Sequence, residues 1–271
     1  MLGSGTPNAE AARVSSGLAI AVDGQPYLVD CGHGIVQRVV QARAQGLITW
    51  DTTDLERLFV THLHADHTVG LPDLLFTPWI HGREVPLQAW GPVGLDHMLA
   101  HLQLAYAENI REHRSAHPCS EHGYQALAHE VTAGCCYGDE RITVQALPAD
   151  HGELDAFSYK FVTPAGTIVV SGDTKPAPGF ADWARGCDLL IHEVYSSRQL
   201  PDRPPAWRAY HSRVHTSTRE LAALANEIRP GCLWLYHQLF WELTPSELVS
   251  EITSKYAGEV VSTADLDTFE L

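Results

Sequence analysis

The run Leu58-Phe59-Val60-Thr61-His62-Leu63-His64-Ala65-Asp66-His67 passes directly from a buried-strand pattern into four metal-capable side chains within six positions. Leu58 to Thr61 reads as a short apolar strand. His62 and His64 then sit two apart on an extended segment, and side chains two apart share a face. Asp66 and His67 follow where the chain bends toward a helix and turn to a second position. Two neighbouring histidines can therefore hold one ion while the Asp-His pair holds another. A single histidine in a polar loop is ordinarily a solvated side chain. Four ligand-type residues straight after an apolar strand are not explained that way.

Two later strands end in the same manner. Thr167-Ile168-Val169-Val170 runs into Ser171-Gly172-Asp173-Thr174, and Leu233-Trp234-Leu235 into Tyr236-His237. A sheet holds the backbone while the loops beyond its strand ends converge, which suits a metal centre. Around these strands the chain alternates between the two periodicities. Leu18–Val22 and Tyr27–Asp30 flank Asp23-Gly24, a hairpin signal. Ile35–Ala44 is a predicted helix closed by Gly46. Leu95, Met98, Leu99, Leu102, Tyr106 and Ile110 recur at helical spacing, and residues 112–135 are polar, histidine-rich and turn-prone, as expected of an insertion. Leu189-Leu190-Ile191 is a further strand, and Ser217 with Glu220 forms a capping box ahead of a helix ending before Pro230. The pattern is that of one α/β domain.

Composition narrows the function. Acidic residues outnumber basic ones 33 to 18, a formal charge of −15, so a long nucleic acid is repelled at distance. No apolar run approaches the ~18 residues of a membrane span. The six cysteines form no CxxC pair and read as reduced thiols of a cytoplasmic protein. The chain opens at Met1-Leu2 directly before Gly3-Ser4-Gly5-Thr6-Pro7, where a preceding strand is expected. An upstream segment, and with it a periplasmic or secreted location, therefore stays open.

The motif His62-x-His64-x-Asp66-His67 resembles the signature of the metallo-β-lactamase fold superfamily. Gly3-Ser4-Gly5-Thr6-Pro7, Asp30-x-Gly32-x-Gly34, His151 in Ala149-Asp150-His151-Gly152, the Asp173 run and a late His237 agree with it in order. The resemblance implies an α/β fold, an αββα sandwich of two mixed β-sheets flanked by helices, as a single domain over 1–271. A helical and loop insertion at about 95–135 would cover the active site. It also implies two Zn²⁺ ions, with His62, His64 and His151 on one, Asp66, His67 and His237 on the other, and Asp173 bridging. Histidine and carboxylate ligands tolerate Mn²⁺ or Fe²⁺ as well. Within the superfamily the chain is similar to the ribonuclease Z-like branch. Ile191-His192-Glu193-Val194 and His215-Thr216-Ser217-Thr218 resemble its two motifs, which implies that Glu193 and His215 handle the leaving group's proton.

The chain departs from that branch where transfer RNA is clamped. The long arm between the third histidine ligand and the bridging aspartate is missing, since only 22 positions separate His151 from Asp173 (173 − 151). Only three lysines occur, Lys160, Lys175 and Lys255, so no lysine-rich clamp replaces it. The expected activity is a dinuclear, phosphodiesterase-like hydrolysis of small anionic esters by a metal-bridging hydroxide, the ions ~3.5–4 Å apart and Asp66 orienting the water. Arylsulfatase, phosphotriesterase and lactonase activities are alternatives on the same site. A ribonuclease Z and a non-catalytic metal-binding module stand behind them. From Val194 to Val214, Arg208, Trp207 and Tyr210 suggest either a rim for a small anionic, aryl or nucleotidic ester or a solvated surface loop. The expected partners are a small-molecule ester and a second copy of the chain, with no membrane and no long nucleic acid.

Overall fold

A computed structural model describes the whole chain, Met1–Leu271. It divides into two compact units, one comprising Met1–Val131 with Asp265–Thr268 and the other Thr132–Ala264 with Phe269–Leu271. No helix is long and apolar enough to cross a membrane.

The first unit opens with the expected hairpin of β1 (Leu18–Val22) and β2 (Gln25–Val29). Asp23 and Gly24 both have positive φ, 50° and 78°, the primed two-residue turn whose twist matches paired strands. Helix α1 (Ile35–Ala44) follows and ends before Gly46, also at positive φ. Then come β3 (Arg57–Phe59), a short α2 (Ala65–Thr68), α3 (Leu71–Ile80) and β4 (Leu87–Gly91). The one helix expected across 95–110 is two, α4 (Leu95–Ala105) and α5 (Ala107–Ala116), broken at Tyr106. Part of the expected insertion is sheet: β5 (Ala126–Glu130) pairs parallel with β4 at full register. The sheet runs β1-β2-β3-β4-β5, antiparallel at the hairpin and parallel beyond it. Its core joins Leu28, Leu58 and Ala89 of the strands to Ile35, Val39, Leu71, Leu75 and Trp79 of the helices.

Helix α3 contains Pro78, which has no N–H for the Leu74 carbonyl one turn back. The fully buried Arg83 takes over that acceptor. Its Nη1 donates to Leu74 O at 2.9 Å and to Leu55 O at 3.0 Å, its Nη2 to Leu75 O and Gly123 O. Burial pulls this guanidinium down to about 10, which leaves it charged at neutral pH.

The second unit begins as an antiparallel meander of β6 (Gly134–Gly138), β7 (Thr143–Pro148), β8 (Phe157–Val162) and β9 (Thr167–Val170). After α6 (Phe180–Ala184), strand β10 (Leu189–Tyr195) adds parallel to β9. Helix α7 (Pro205–Val214) starts with proline in its first turn, where the missing N–H is harmless. The capping box at Ser217 and Glu220 forms as expected and starts α8 (Thr218–Ile228). Then come β11 (Cys232–Leu239), α9 (Pro245–Thr253) and β12 (Val260–Ser262). The order is β12-β11-β10-β9-β8-β7-β6, parallel on one side of β9 and antiparallel on the other. Leu221, Ala225 and Ile228 of α8 and Leu248 and Ile252 of α9 pack on Leu190, Leu233 and Leu235.

Candidate metal centre

In the first unit the histidine run begins where β3 stops. Asp30, at the end of β2, holds it in place. Its Oδ1 accepts from Thr61 N at 2.7 Å, and its Oδ2 accepts from Thr61 Oγ1 at 2.9 Å and from His67 Nδ1 at 2.7 Å. A carboxylate only accepts, so the proton of His67 sits on Nδ1 and a lone pair is left on Nε2. His62 Nε2 and His64 Nδ1 stand 3.0 Å apart, and the rings of His62 and His67 are 4.2 Å apart. The Oδ2 of Asp66 lies 3.5 Å from His67 Nε2. The four expected ligands of this unit are thus gathered, with His62 and His67 fully buried. Their backbone is seated by Gly32, where a Cβ would lie 2.2 Å from the Asp66 carbonyl, and by Cys31 N donating to His67 O.

Asp30 is the residue that motif reading left without a role. Its signal was present in the sequence: an acid at the end of a strand, ahead of a histidine cluster.

In the second unit Asp173 is the hub. Its Oδ2 lies 3.4 Å from His237 Nε2, 4.0 Å from His151 Nε2 and 3.9 Å from His215 Nδ1. Three different elements deliver these groups. The loop carrying His151 is tied down by Asp150 N donating to Thr174 Oγ1 and Lys175 N donating to Asp150 O. His151 Nδ1 donates to Val214 O at 2.8 Å, so its Nε2 keeps the lone pair. His237 is positioned by a bulge: the β10–β11 register steps from Glu193↔Tyr236 to Val194↔Gln238, and His237 is the residue passed over. Its φ of 44° is uncommon for a side-chain-bearing residue, and a bulge re-aims a side chain in just this way.

Glu193 and His215 form the expected pair. Glu193 Oε1 accepts from His215 Nδ1 at 3.1 Å, Thr174 N at 3.1 Å and Thr216 N at 3.0 Å. Oε1 already accepts two backbone N–H bonds and so acts as an acceptor toward His215 too, whose Nδ1 therefore carries a proton. Oε2 of Glu193 is buried without a hydrogen-bond partner. The preceding residue, His192, points to the opposite face of β10, against Phe180, as strand alternation requires.

The arginine- and aromatic-rich segment is helix α7 over 205–214. Tyr210 packs edge-on to His215 with ring centroids 6.0 Å apart, and Trp207 stacks on His211 at 5.7 Å. Arg208 is exposed, and its guanidinium contacts the Pro201 carbonyl rather than the histidine and carboxylate cluster. Arg198 and Arg203 pair with Glu247 and Glu242. His211, unremarked in the sequence, is buried among Trp207, Tyr210, Trp241 and His215. Burial, then the nearby His215, His237 and Arg203, push its imidazole down to about 4.

The donor sets of both units suit a borderline divalent cation. They offer imidazole nitrogens, with the other ring nitrogen already committed in His67 and His151, and carboxylates spaced at about 3.4–4.0 Å from them. Two donors each ~2.0–2.2 Å from one ion in a tetrahedral site stand ~3.3–3.6 Å apart, the spacing of Asp173 Oδ2 and His237 Nε2 at 3.4 Å.

A β-lactamase superfamily domain matches residues 26–238. A protein named ribonuclease Z from Mycobacterium sp. (strain KMS) is 30% identical over 243 residues, covering 88% of this chain and 83% of that one. Among solved structures, the metallo-β-lactamase fold protein YhfI from Bacillus subtilis superposes with a TM-score of 0.76 at 18% identity, over 97% of this chain and 95% of the other. The short form of human tRNase Z gives 0.73 at 21% identity, over 98% and 95%. From strand β2 to the end of strand β11, then, the sequence carries the family's domain on the family's fold: the chain is a hydrolase of the β-lactamase superfamily with the metallo-β-lactamase fold.

Proposed function

We propose that the chain is a dinuclear, phosphodiesterase-like hydrolase of small anionic esters. The observation that carries this reading is Asp173 ringed by His151, His215 and His237 at 3.4–4.0 Å, with Glu193 behind His215. Following the family motif, His62, His64 and His151 would hold one ion, Asp66, His67 and His237 the other, and Asp173 would be shared. When bound, zinc, or manganese or iron in its place, supplies Lewis acidity that lowers the pKa of water and draws charge from a phosphoryl oxygen.

The chain's own residues do the rest. Asp66 orients the attacking water and accepts its proton. His215, protonated on both nitrogens, gives its Nε2 proton to the departing alkoxide while Glu193 holds Nδ1–H and stabilises the imidazolium. Tyr210 and the half-exposed Trp207 offer flat surfaces to an aryl or nucleotidic leaving group, and Arg208 takes no part in our reading of the rim. All six cysteines are free thiols, which fits a reducing, cytoplasmic compartment.

A transfer-RNA-processing activity is the second reading, favoured by the ribonuclease Z relatives. Against it stand the formal charge of −15 and the interval between His151 and Asp173, filled by β8, a turn at 163–166 and β9 with no arm. The deciding experiment assays the zinc- or manganese-loaded protein on p-nitrophenyl esters (bis-phosphate, sulfate, phosphonate, acetate) and on a precursor transfer RNA. We expect the bis-phosphate to be turned over best, with Glu193→Gln lowering kcat by about 10²–10⁴. A higher kcat/KM on the RNA, or on the sulfate or acetate, would replace this reading with the corresponding alternative.

A further inference from the structure

A second cluster of metal-capable side chains lies at the C-terminal end of α5, outside the family's ligand set. The helix stops at Ala116, and His117 follows as an extended cap residue with φ −126° and ψ 152°. His113 lies one turn earlier, its ring centroid 5.0 Å from that of His117. Glu112 lies beside both rings: its Oε1 is 3.6 Å from His117 Nε2, and its Oε2 is 3.4 Å from His113 Nδ1, the protonated nitrogen, so His113 would meet a shared ion through its Nε2. One donor atom from each of the three lies within 4.8 Å of the others.

Several features favour a cation here. The spacing of two histidines four positions apart brings both side chains to one side of a helix end. His113 is held in place, since its Nδ1 donates to the Asn109 carbonyl at 3.0 Å and its ring packs on Trp79 at 5.6 Å. That hydrogen bond leaves the lone pair on Nε2. His117 and Glu112, each about half exposed, are free to adjust around it. The carbonyls of the last helical turn present the negative end of the helix dipole, which favours positive charge.

We propose that Glu112, His113 and His117 form an accessory site for a borderline divalent cation such as Zn²⁺, Ni²⁺ or Cu²⁺. Two imidazoles and one carboxylate select such ions over Mg²⁺ or Ca²⁺, and three protein donors leave the remaining positions to water. The ion ties the last turn of α5 to the segment that follows, whose Ser120 and Gly123 carbonyls accept from Trp79 and Arg83.

The test uses the full chain, stripped with chelator and re-equilibrated with Zn²⁺, comparing wild type with His113→Gln/His117→Gln by elemental analysis. The double variant is expected to hold one zinc fewer per chain while keeping its ester hydrolysis. A titration with Cu²⁺ provides a second readout, because a paramagnetic ion at His113 quenches Trp79 fluorescence. The exposed single variant His117→Gln, which leaves the His113 ring on Trp79, is expected to weaken that quenching at least tenfold in copper concentration. Equal zinc content and equal quenching in wild type and His117→Gln would overturn the proposal.

Discussion

Asp30 shows how much chemistry rests on one side chain that binds no metal in the proposed ligand set. It fixes the tautomer of His67 and the backbone of Thr61 at once, from a left-handed conformation with φ 59°. Asparagine tolerates that conformation, so Asp30→Asn removes the charge and one acceptor without straining the turn. We expect it to weaken zinc binding by about 10–100-fold, measured by competition with a chromogenic chelator. His211 gives a prediction of a different kind. Its folded-state pKa of about 4 lies below the ordinary 6.5, so between those values the unfolded chain takes up a proton that the folded chain refuses. Stability is therefore full above about pH 6.5 and falls as pH drops toward 4. Urea melts of chelator-stripped protein at pH 7 and pH 5 should show a loss that is smaller in His211→Gln.

At the scale of elements, the instructive case is α3 and Arg83. A proline inside a helix orphans a carbonyl, and here a buried arginine from beyond the helix satisfies it. Removing the arginine takes a donor from the carbonyls of Leu55, Leu74, Leu75 and Gly123, and Leu74 O has no helix N–H to fall back on. Arg83→Met is expected to cost about 3–5 kcal/mol in urea unfolding. Pro78→Ala returns an N–H to Leu74 O, so the double variant should lose less than the sum of the two changes. Additive losses would show that the two residues are not coupled. The bulge at His237 teaches a related lesson. Register between β10 and β11 is set by packing along both strands, and one unmatched residue re-aims a ring without disturbing either core face.

For the whole molecule, two separate cores carry two mixed sheets, and acidic residues outnumber basic ones 33 to 18. Metal bound to the folded but not the unfolded chain adds about 2.7 kcal/mol per ion at a hundredfold excess over Kd. For a chain of this size that raises Tm by about 5–10 °C. Calorimetry with and without chelator should show this shift, together with loss of ester hydrolysis that returns when zinc or manganese is restored. An unchanged Tm would mean that the histidine clusters hold no stoichiometric ion.

Local sequence determined the hairpin at Asp23-Gly24, the capped helix at Ser217, the strands leading to His62, Asp173 and His237, and the identity of the metal-capable residues. Each of these follows from turn chemistry, periodicity or side-chain type within a few residues of the chain. What only tertiary structure decided was long-range. It broke one helix at Tyr106, recruited Ala126–Glu130 as an edge strand where polarity suggested an insertion, and brought His211 beside His215. Short segments carry no record of which distant strand will satisfy their backbone or which core will receive their rings, because that free energy arises only when the partners meet.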